Sequence, residues 1–311
     1  MSAKIEIPAT LKDDLPQSRW GKVLASTPIV MTVIATALAG LSSSEMTRAQ
    51  YDRSMAAQLQ SKAGDQWSYF QAKRLRAALQ RNTLDVLRGT TGARALDAAA
   101  LTARLAGTPV HALLATPAGT SALDCLTHAT LPSAGGDAAR NEGVNGALAA
   151  VEAGKADADV DALLAKVKPA ELATALADAT ERVRSFDATL KRINAVIDVV
   201  EKELAQHPAD DLARDFTQAR LTYAGQRYDA ESRQNQVVAQ LLELQVRKSN
   251  LSAERHHARS QRFFYGMLAA QLAVIISTFS IAARKRNFLW ALAASAGAAA
   301  VGFAAYVYLY V

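Results

Sequence analysis

The sequence predicts an all-α membrane protein in which three transmembrane helices carry a long antiparallel coiled-coil stalk with a helical head. Three observations support this fold class. Apolar runs concentrate at the two ends of the 311-residue chain, two intervening segments repeat apolar residues every seven positions, and no segment shows a convincing strand pattern. The predicted order is a tail at 1–22, transmembrane helix 1 at 23–41, an ascending stalk helix at 42–88, a head with a third stalk helix at 89–206, a descending stalk helix at 207–262, and transmembrane helices 2 and 3 at 263–283 and 288–311.

The three apolar runs contain no charged residue and are long enough to cross a bilayer. At 1.5 Å per residue, a helix of about 20 residues matches the thickness of the hydrocarbon core. The third run also carries small residues at the spacing that lets membrane helices approach closely, namely Ala293, Gly297, Ala298 and Gly302. These residues either pack onto the second run or mediate self-association, and the sequence leaves both uses open.

Basic residues lie beside the apolar runs, while elsewhere Lys and Arg are interspersed with acidic residues. This mixing argues against nucleic-acid binding despite the net charge of +6. We interpret the flanking residues Arg259, Arg262, Arg284, Lys285 and Arg286 as contacts for lipid headgroups. The short tail and the 284–286 connection both favour the cytoplasmic side, which would make the central region periplasmic in a bacterial inner membrane, whereas basic residues on the other flank of the spans, such as Arg48 and Arg255, nearly balance them.

Two long segments carry the seven-residue repeat that is typical of packed helices. The ascending repeat consists of Ala56, Ala63, Phe70, Ala77 and Leu84. The descending repeat, which follows a predicted helix start near Pro208, consists of Phe216, Tyr223, Ala230, Val237, Leu244, Leu251 and Ala258. Because the two segments run in opposite directions, we expect them to pair as an antiparallel stalk. The apolar contact between the two helices, here called the seam, is incomplete because some of its positions are polar, for example Gln240. Either the amphipathic segment from Pro169 to Leu204 or another subunit should therefore cover it.

Residues 89–168 hold most of the remaining glycines and prolines, which predicts a head of short helices. The segment from Ser133 to Gly154 is expected to be the least ordered part of this head. Asp157 opens an acidic run that imitates a calcium loop, but Ala162 and Lys168 stand where that loop needs glycine and a bidentate acid. We therefore interpret these acids as residues of a helix N-terminus.

No catalytic motif, cofactor site or metal site is predicted. His256 and His257 are adjacent, so on a helix their side chains would point about 100° apart and would not share one metal ion. Solvated residues beside the membrane are the expected state of this pair.

The run from Gly64 to Lys73, GDQWSYFQAK, follows a first span that begins near Arg19 and Trp20. It resembles the signature of an uncharacterised bacterial membrane family, the domain of unknown function 4337. The pair His256-His257 and the basic connection before Trp290 are similar to the closing spans of that family. The resemblance implies three spans around a helical segment, with the head as an insertion, and no assigned activity. Within the motif, the candidate functional residues are Trp67, Tyr69, Gln71 and Lys73, with helix packing as the alternative role.

These features favour a non-enzymatic membrane protein that self-assembles as a scaffold or interaction module and presents its stalk and head to an unidentified protein partner. A sensor that acts through a partner is one alternative. A subunit of an oligomeric channel is another, suggested by Gln271 and the Ser and Thr residues of the first two spans.

Overall fold

A computed structural model describes residues 19–132, 141–206, 211–282 and 286–310. Within these ranges all regular secondary structure is helical, which confirms the all-α prediction for the described residues. The helices are α1 Arg19–Thr91, α2 Ala98–Arg104, α3 Pro109–Leu114, α4 Pro117–His128, α5 Glu142–Glu152, α6 Asp157–Lys166, α7 Pro169–Leu204, α8 Asp211–Ala282 and α9 Arg286–Tyr310. Three of them, α1, α8 and α9, are long and apolar enough to cross a membrane. The chain is therefore a multi-pass membrane protein by the length and composition of its helices.

The chain divides into two compact units. The membrane unit consists of residues 1–55 and 249–311, and the central unit consists of residues 56–248. Both long helices, α1 and α8, contribute residues to each unit.

In the membrane unit, the apolar parts of α1, α8 and α9 pack through a cluster of mostly small and aliphatic side chains. The buried members are Ala35, Leu38, Phe263, Ala270, Ala300 and Val307. Larger apolar side chains such as Ile29 and Phe279 are two-thirds exposed. This distribution of small residues inside and large residues outside is the one expected for helices that meet in lipid.

In the central unit, α7 has the bounds expected for the amphipathic segment. Its apolar face, including Phe186, Leu190 and Ile193, forms one hydrophobic core with Phe216 and Tyr223 of α8 and with the short helices α2 to α4. A third helix of the same chain therefore covers this part of α8, which was the first of the two ways in which the seam could be closed.

The seven-residue repeats lie on the inner faces of their helices. Along α1, Ala56, Ala63, Ala77 and Leu84 are buried and Phe70 is half-buried. Along α8, Phe216, Tyr223 and Leu244 are buried, whereas Ala230, Val237 and Leu251 are half-buried. The polar residue Gln240 is also buried, at 4% exposure.

Local capping explains where the short helices begin. The side chain of Asp97 accepts hydrogen bonds from the N–H groups of Ala99 and Ala100, and Thr116 accepts one from Gly119. Pro109 and Pro117 occupy first-turn positions, where a missing N–H costs nothing.

The expected low order of residues 133–154 is wrong for much of that segment. Asn141 caps α5, and Val144, Ala147 and Leu148 of α5 are buried, because the alanine-rich sequence supplies one continuous apolar face. Residues 133–140 lie outside the described ranges. The interpretation of the acidic run is confirmed, since Asp157 is the first residue of α6.

Candidate functional site

The family motif lies on α1 within the central unit, and two of its residues bond to α8. The indole N–H of Trp67 donates a hydrogen bond of 2.7 Å to the carboxylate of Glu243. The ammonium group of Lys73 pairs with the carboxylate of Glu231. Trp67 also packs edge-to-face against Phe70, with the ring centroids 5.3 Å apart. Trp67 and Lys73 therefore join α1 to α8 through polar groups as well as by packing.

The other two motif residues have different surroundings. Gln71 is exposed to solvent and lies on the outer side of α1. Tyr69 is 57% exposed and lines a cavity of about 330 Å³. The structure therefore brings Tyr69 and Lys73 to one site and leaves Gln71 outside it.

The cavity lies where α1, α7 and α8 adjoin, and all three helices contribute polar side chains to it. It is lined by Gln66, Tyr69 and Lys73 of α1, by Thr180, Val183 and Asp187 of α7, and by Glu231, Gln234, Asn235 and Val238 of α8. Its volume is at the lower end of the range of small-molecule sites.

A buried carboxylate organises the charges beside the cavity. Glu231 is 7% exposed and pairs with Lys73, while its other oxygen lies 3.4 Å from Nε of Arg227. A carboxylate buried to this extent is stable only when opposite charges compensate it. The pairing of Glu231 with two cations meets this requirement.

Asp187 is the second acid of the cavity and lies at its exposed mouth. Partial desolvation, together with repulsion from Glu231, raises the pKa of the Asp187 carboxyl above its usual value, and Lys73 and Arg227 oppose this shift. The carboxylate of Asp187 has no hydrogen-bond or ion-pair partner among the residues that the structure describes.

Three cations surround the ring of Tyr228 next to this cluster. Arg227 lies 4.4 Å from the ring centroid, Lys73 5.5 Å and Arg76 5.9 Å. Arg81 pairs with Asp229 one residue further along α8. Cation–π contacts of this kind hold the basic side chains of α1 against α8.

The sequence did not identify Glu231, Asp187 or Glu243 as site residues. Each is an acid in a helix rich in charged residues, which in a sequence has the same appearance as a solvated surface position. Lys73 is the residue that could have revealed them. A lysine that lies among the apolar positions of a packed helix implies an acid on the facing helix.

Tyr223, one of the predicted helix-packing residues, lies deep in the core of the central unit. Its hydroxyl group donates a hydrogen bond of 2.9 Å to the side-chain oxygen of Asn194. Burial raises the pKa of the Tyr223 phenol, and the nearby Arg227 partly opposes the shift. The phenol therefore stays neutral and serves as a structural donor between α7 and α8.

In the membrane unit, the expectation that His256 is solvated is wrong. Its Nδ1 lies 2.5 Å from a carboxylate oxygen of Glu45, and both side chains are largely buried. Next to this pair, Ser42 and Ser260 each donate from the hydroxyl to the backbone carbonyl of the other, at 2.9 and 2.8 Å. The polar groups at this level of α1 and α8 satisfy one another across the helix pair, which is why His256 turns inward.

The small residues of the third apolar run divide into two faces. Ala293 and Gly297 are buried, and a Cβ atom at Gly297 would lie 2.2 Å from the terminal carbon of Met31 on α1. Ala298 and Gly302 are exposed and line an outward-facing groove with residues of α1. Gly297 thus packs on α1, which was neither of the two uses expected from the sequence, packing onto the second run or self-association.

The basic residues assigned to lipid headgroups are only partly described. Arg259 and Arg262 are half-buried on α8. Arg284 and Lys285, together with the side chain of Arg286, lie outside the described residues.

Comparison with known proteins bears on the motif. Residues 20–108 match the family model of a domain of unknown function (DUF4337). The match includes the whole motif and ends at residue 108, so the likeness at residues 256–290 stays a prediction. No curated protein and no solved structure matches the chain. The resemblance carried by residues 64–73 is therefore confirmed as a match of residues 20–108 to the family model of the domain of unknown function 4337.

Proposed function

We propose that this chain is a non-enzymatic integral membrane protein that self-assembles through the outer face of α1 and presents its central unit to a protein partner. The three apolar helices support membrane insertion. We assign it to a bacterial inner membrane with the central unit on the periplasmic side. Lipid headgroups are the proposed contacts of its basic flanking residues, and nucleic acid has no part in its function.

An exposed apolar stripe on α1 carries the self-assembly proposal. Leu75, Leu79 and Val86 are 63%, 54% and 65% exposed. With Ala72 and Asn82, which are also exposed, they follow the alternating three- and four-residue spacing of a coiled-coil seam. The stripe lies on the side of α1 opposite the buried residues Ala77 and Leu84.

A second copy of the chain is the occupant that fits this stripe. Two copies inserted in the same direction are related by an axis along the membrane normal, so their α1 helices are parallel, and a parallel seam pairs each position with itself. Asn82 would then face Asn82 of the second copy, an arrangement in which one polar position sets the register.

The residues beside the stripe also permit such a pair. In a parallel coiled coil, a residue that flanks the seam in one copy faces the residue five positions later in the sequence of the other copy. Gln71 would face Arg76, and Asp85 would face Thr90, so neither pairing places like charges together. This pairing gives the exposed motif residue Gln71 a role in assembly.

Disulfide crosslinking in membranes tests the proposal. We expect Asn82→Cys to give a covalent dimer under mild oxidation, whereas Arg74→Cys, on the flank of the same helix, should not. Cys125 is buried and should contribute no background. Leu79→Glu should convert the detergent-solubilised chain to monomers by light scattering, with Arg74→Glu as the matched control. Equal crosslinking of the two cysteine variants would refute the proposed seam.

A channel subunit is the second candidate, favoured by one groove of the membrane unit. Thr32 and Thr36 of α1 and Gln271 of α8 are exposed and line a cavity of about 480 Å³. Several copies could enclose these polar groups around a pore. Absence of conductance after reconstitution of the assembled protein would exclude this role.

A further inference from the structure

We propose that the cavity between α1, α7 and α8 binds a small organic compound through a primary ammonium group, with Asp187 as the acceptor and Tyr69 as an aromatic contact. The site belongs to the family motif through Tyr69 and Lys73. It goes beyond the proposed self-assembly, which uses the opposite side of α1.

The first observation is a carboxylate without a direct partner. Asp187 lines the cavity and makes no hydrogen bond or ion pair with the residues that the structure describes, while the positive charges of Lys73 and Arg227 act on it from further away. Glu231, in contrast, is already paired with Lys73 and lies beside Arg227. A ligand entering the mouth therefore meets one carboxylate that is free to accept charge-assisted hydrogen bonds.

The remaining walls suit a short carbon chain. Val183 and Val238 contribute apolar surface, and the exposed ring of Tyr69 offers an aromatic face to a cation. The volume of about 330 Å³ is adequate for a small molecule and too small for a folded partner.

Other ligand classes fit less well. The side chains lining the cavity include one lysine and two acids, so an anion would meet net repulsion. A divalent metal ion prefers several oxygen ligands of high negative charge, and the ammonium group of Lys73 lies in the same cavity. No cluster of three metal-binding side chains occurs in the part of the chain that the structure describes.

Ligand-observed NMR titration of the detergent-solubilised full chain tests this proposal with butylammonium as the probe. We expect saturable binding of butylammonium, weaker binding of tetramethylammonium, which has the charge but no N–H group, and no binding of butyrate. Asp187→Asn should weaken butylammonium binding by about tenfold, the loss expected for one charge-assisted hydrogen bond.

A matched control variant keeps the test decisive. Asp198→Asn removes an exposed acid from the same helix away from the cavity and should leave binding unchanged. Absence of saturable butylammonium binding, or equal effects of Asp187→Asn and Asp198→Asn, would overturn the assignment. The dimer seam is tested separately by crosslinking, so either proposal can fail alone.

Discussion

Glu231 of α8 is buried against Lys73 of α1, and the same carboxylate lies 3.4 Å from Nε of Arg227. One acid thus compensates a cation from the family motif and a cation from its own helix. The stability of the central unit should depend unequally on the three side chains.

Glu231→Gln should lower the free energy of unfolding by about 2–3 kcal/mol, because it leaves two neighbouring cations without their common partner. The loss is below that for a fully buried pair, since Lys73 is 26% exposed and water can solvate it. Lys73→Met should cost less, because Arg227 still compensates the acid. Thermal unfolding of the solubilised chain followed by circular dichroism measures both. A larger loss for Lys73→Met would contradict this charge arrangement.

The stability of the chain should respond to pH through Asp187. Because the pKa of Asp187 is raised above 3.8 in the folded chain, the folded state binds this proton more tightly than the unfolded state does. The contribution of Asp187 to stability is therefore fully present below pH 3.8 and is lost as pH rises through the folded pKa. Asp187→Asn should raise the midpoint of thermal unfolding at pH 7, by a small amount since the side chain is exposed. The difference between wild type and variant should shrink towards pH 4, and a difference that grows on acidification would contradict the sign.

Cys125 should be chemically inert in the folded chain. Burial, with a smaller contribution from Asp124, raises the pKa of its thiol to about 11. At pH 8 only a small fraction is thiolate, the form that reacts with alkylating reagents. We expect no modification by iodoacetamide in mild detergent and complete modification in guanidinium chloride, as measured by mass spectrometry. Rapid labelling of the native chain would show that the core of the central unit opens at this position.

Two glycines of the central unit should respond to alanine with opposite signs. A Cβ atom at Gly119 would lie 2.3 Å from the backbone oxygen of Leu113, whereas a Cβ atom at Gly146 would meet nothing within 4 Å. Gly119→Ala should therefore destabilise the chain by about 2–3 kcal/mol, because backbone atoms must shift. Gly146→Ala should be neutral or stabilising by up to about 1 kcal/mol, since alanine is the better helix former. Urea or thermal unfolding compares the two variants directly.

The helices and their buried faces were predictable because each is determined by residues that lie close together in the sequence. The repeat that includes Ala63 and Ala77 identified the inner face of α1, and the proline at 169 with the apolar periodicity after it gave the bounds of α7. These features depend on spacing within one helix, which a sequence displays directly.

Only some residues of the candidate site were predictable, because the site is formed by three helices and the sequence does not show which helices pack together. Lys73 and Tyr69 were identified through the family motif, but Glu231 and Asp187 belong to two other helices and are each unremarkable among charged neighbours. The expectation that His256 is solvated was wrong for a related reason, because a polar residue in a helix can turn inward when a facing helix supplies its surroundings. The helix against which Gly297 packs was also not predictable, because the spacing of small residues does not show which neighbouring helix they face.

The reciprocal bonds between Ser42 and Ser260, with Glu45 and His256 beside them, fix the axial position of α1 relative to α8 in the membrane unit. A piston movement of one helix by a single turn, about 5.4 Å, would break all of these bonds together. Sliding of α1 along α8 is therefore opposed by the simultaneous loss of the two serine hydrogen bonds and the contact between Glu45 and His256.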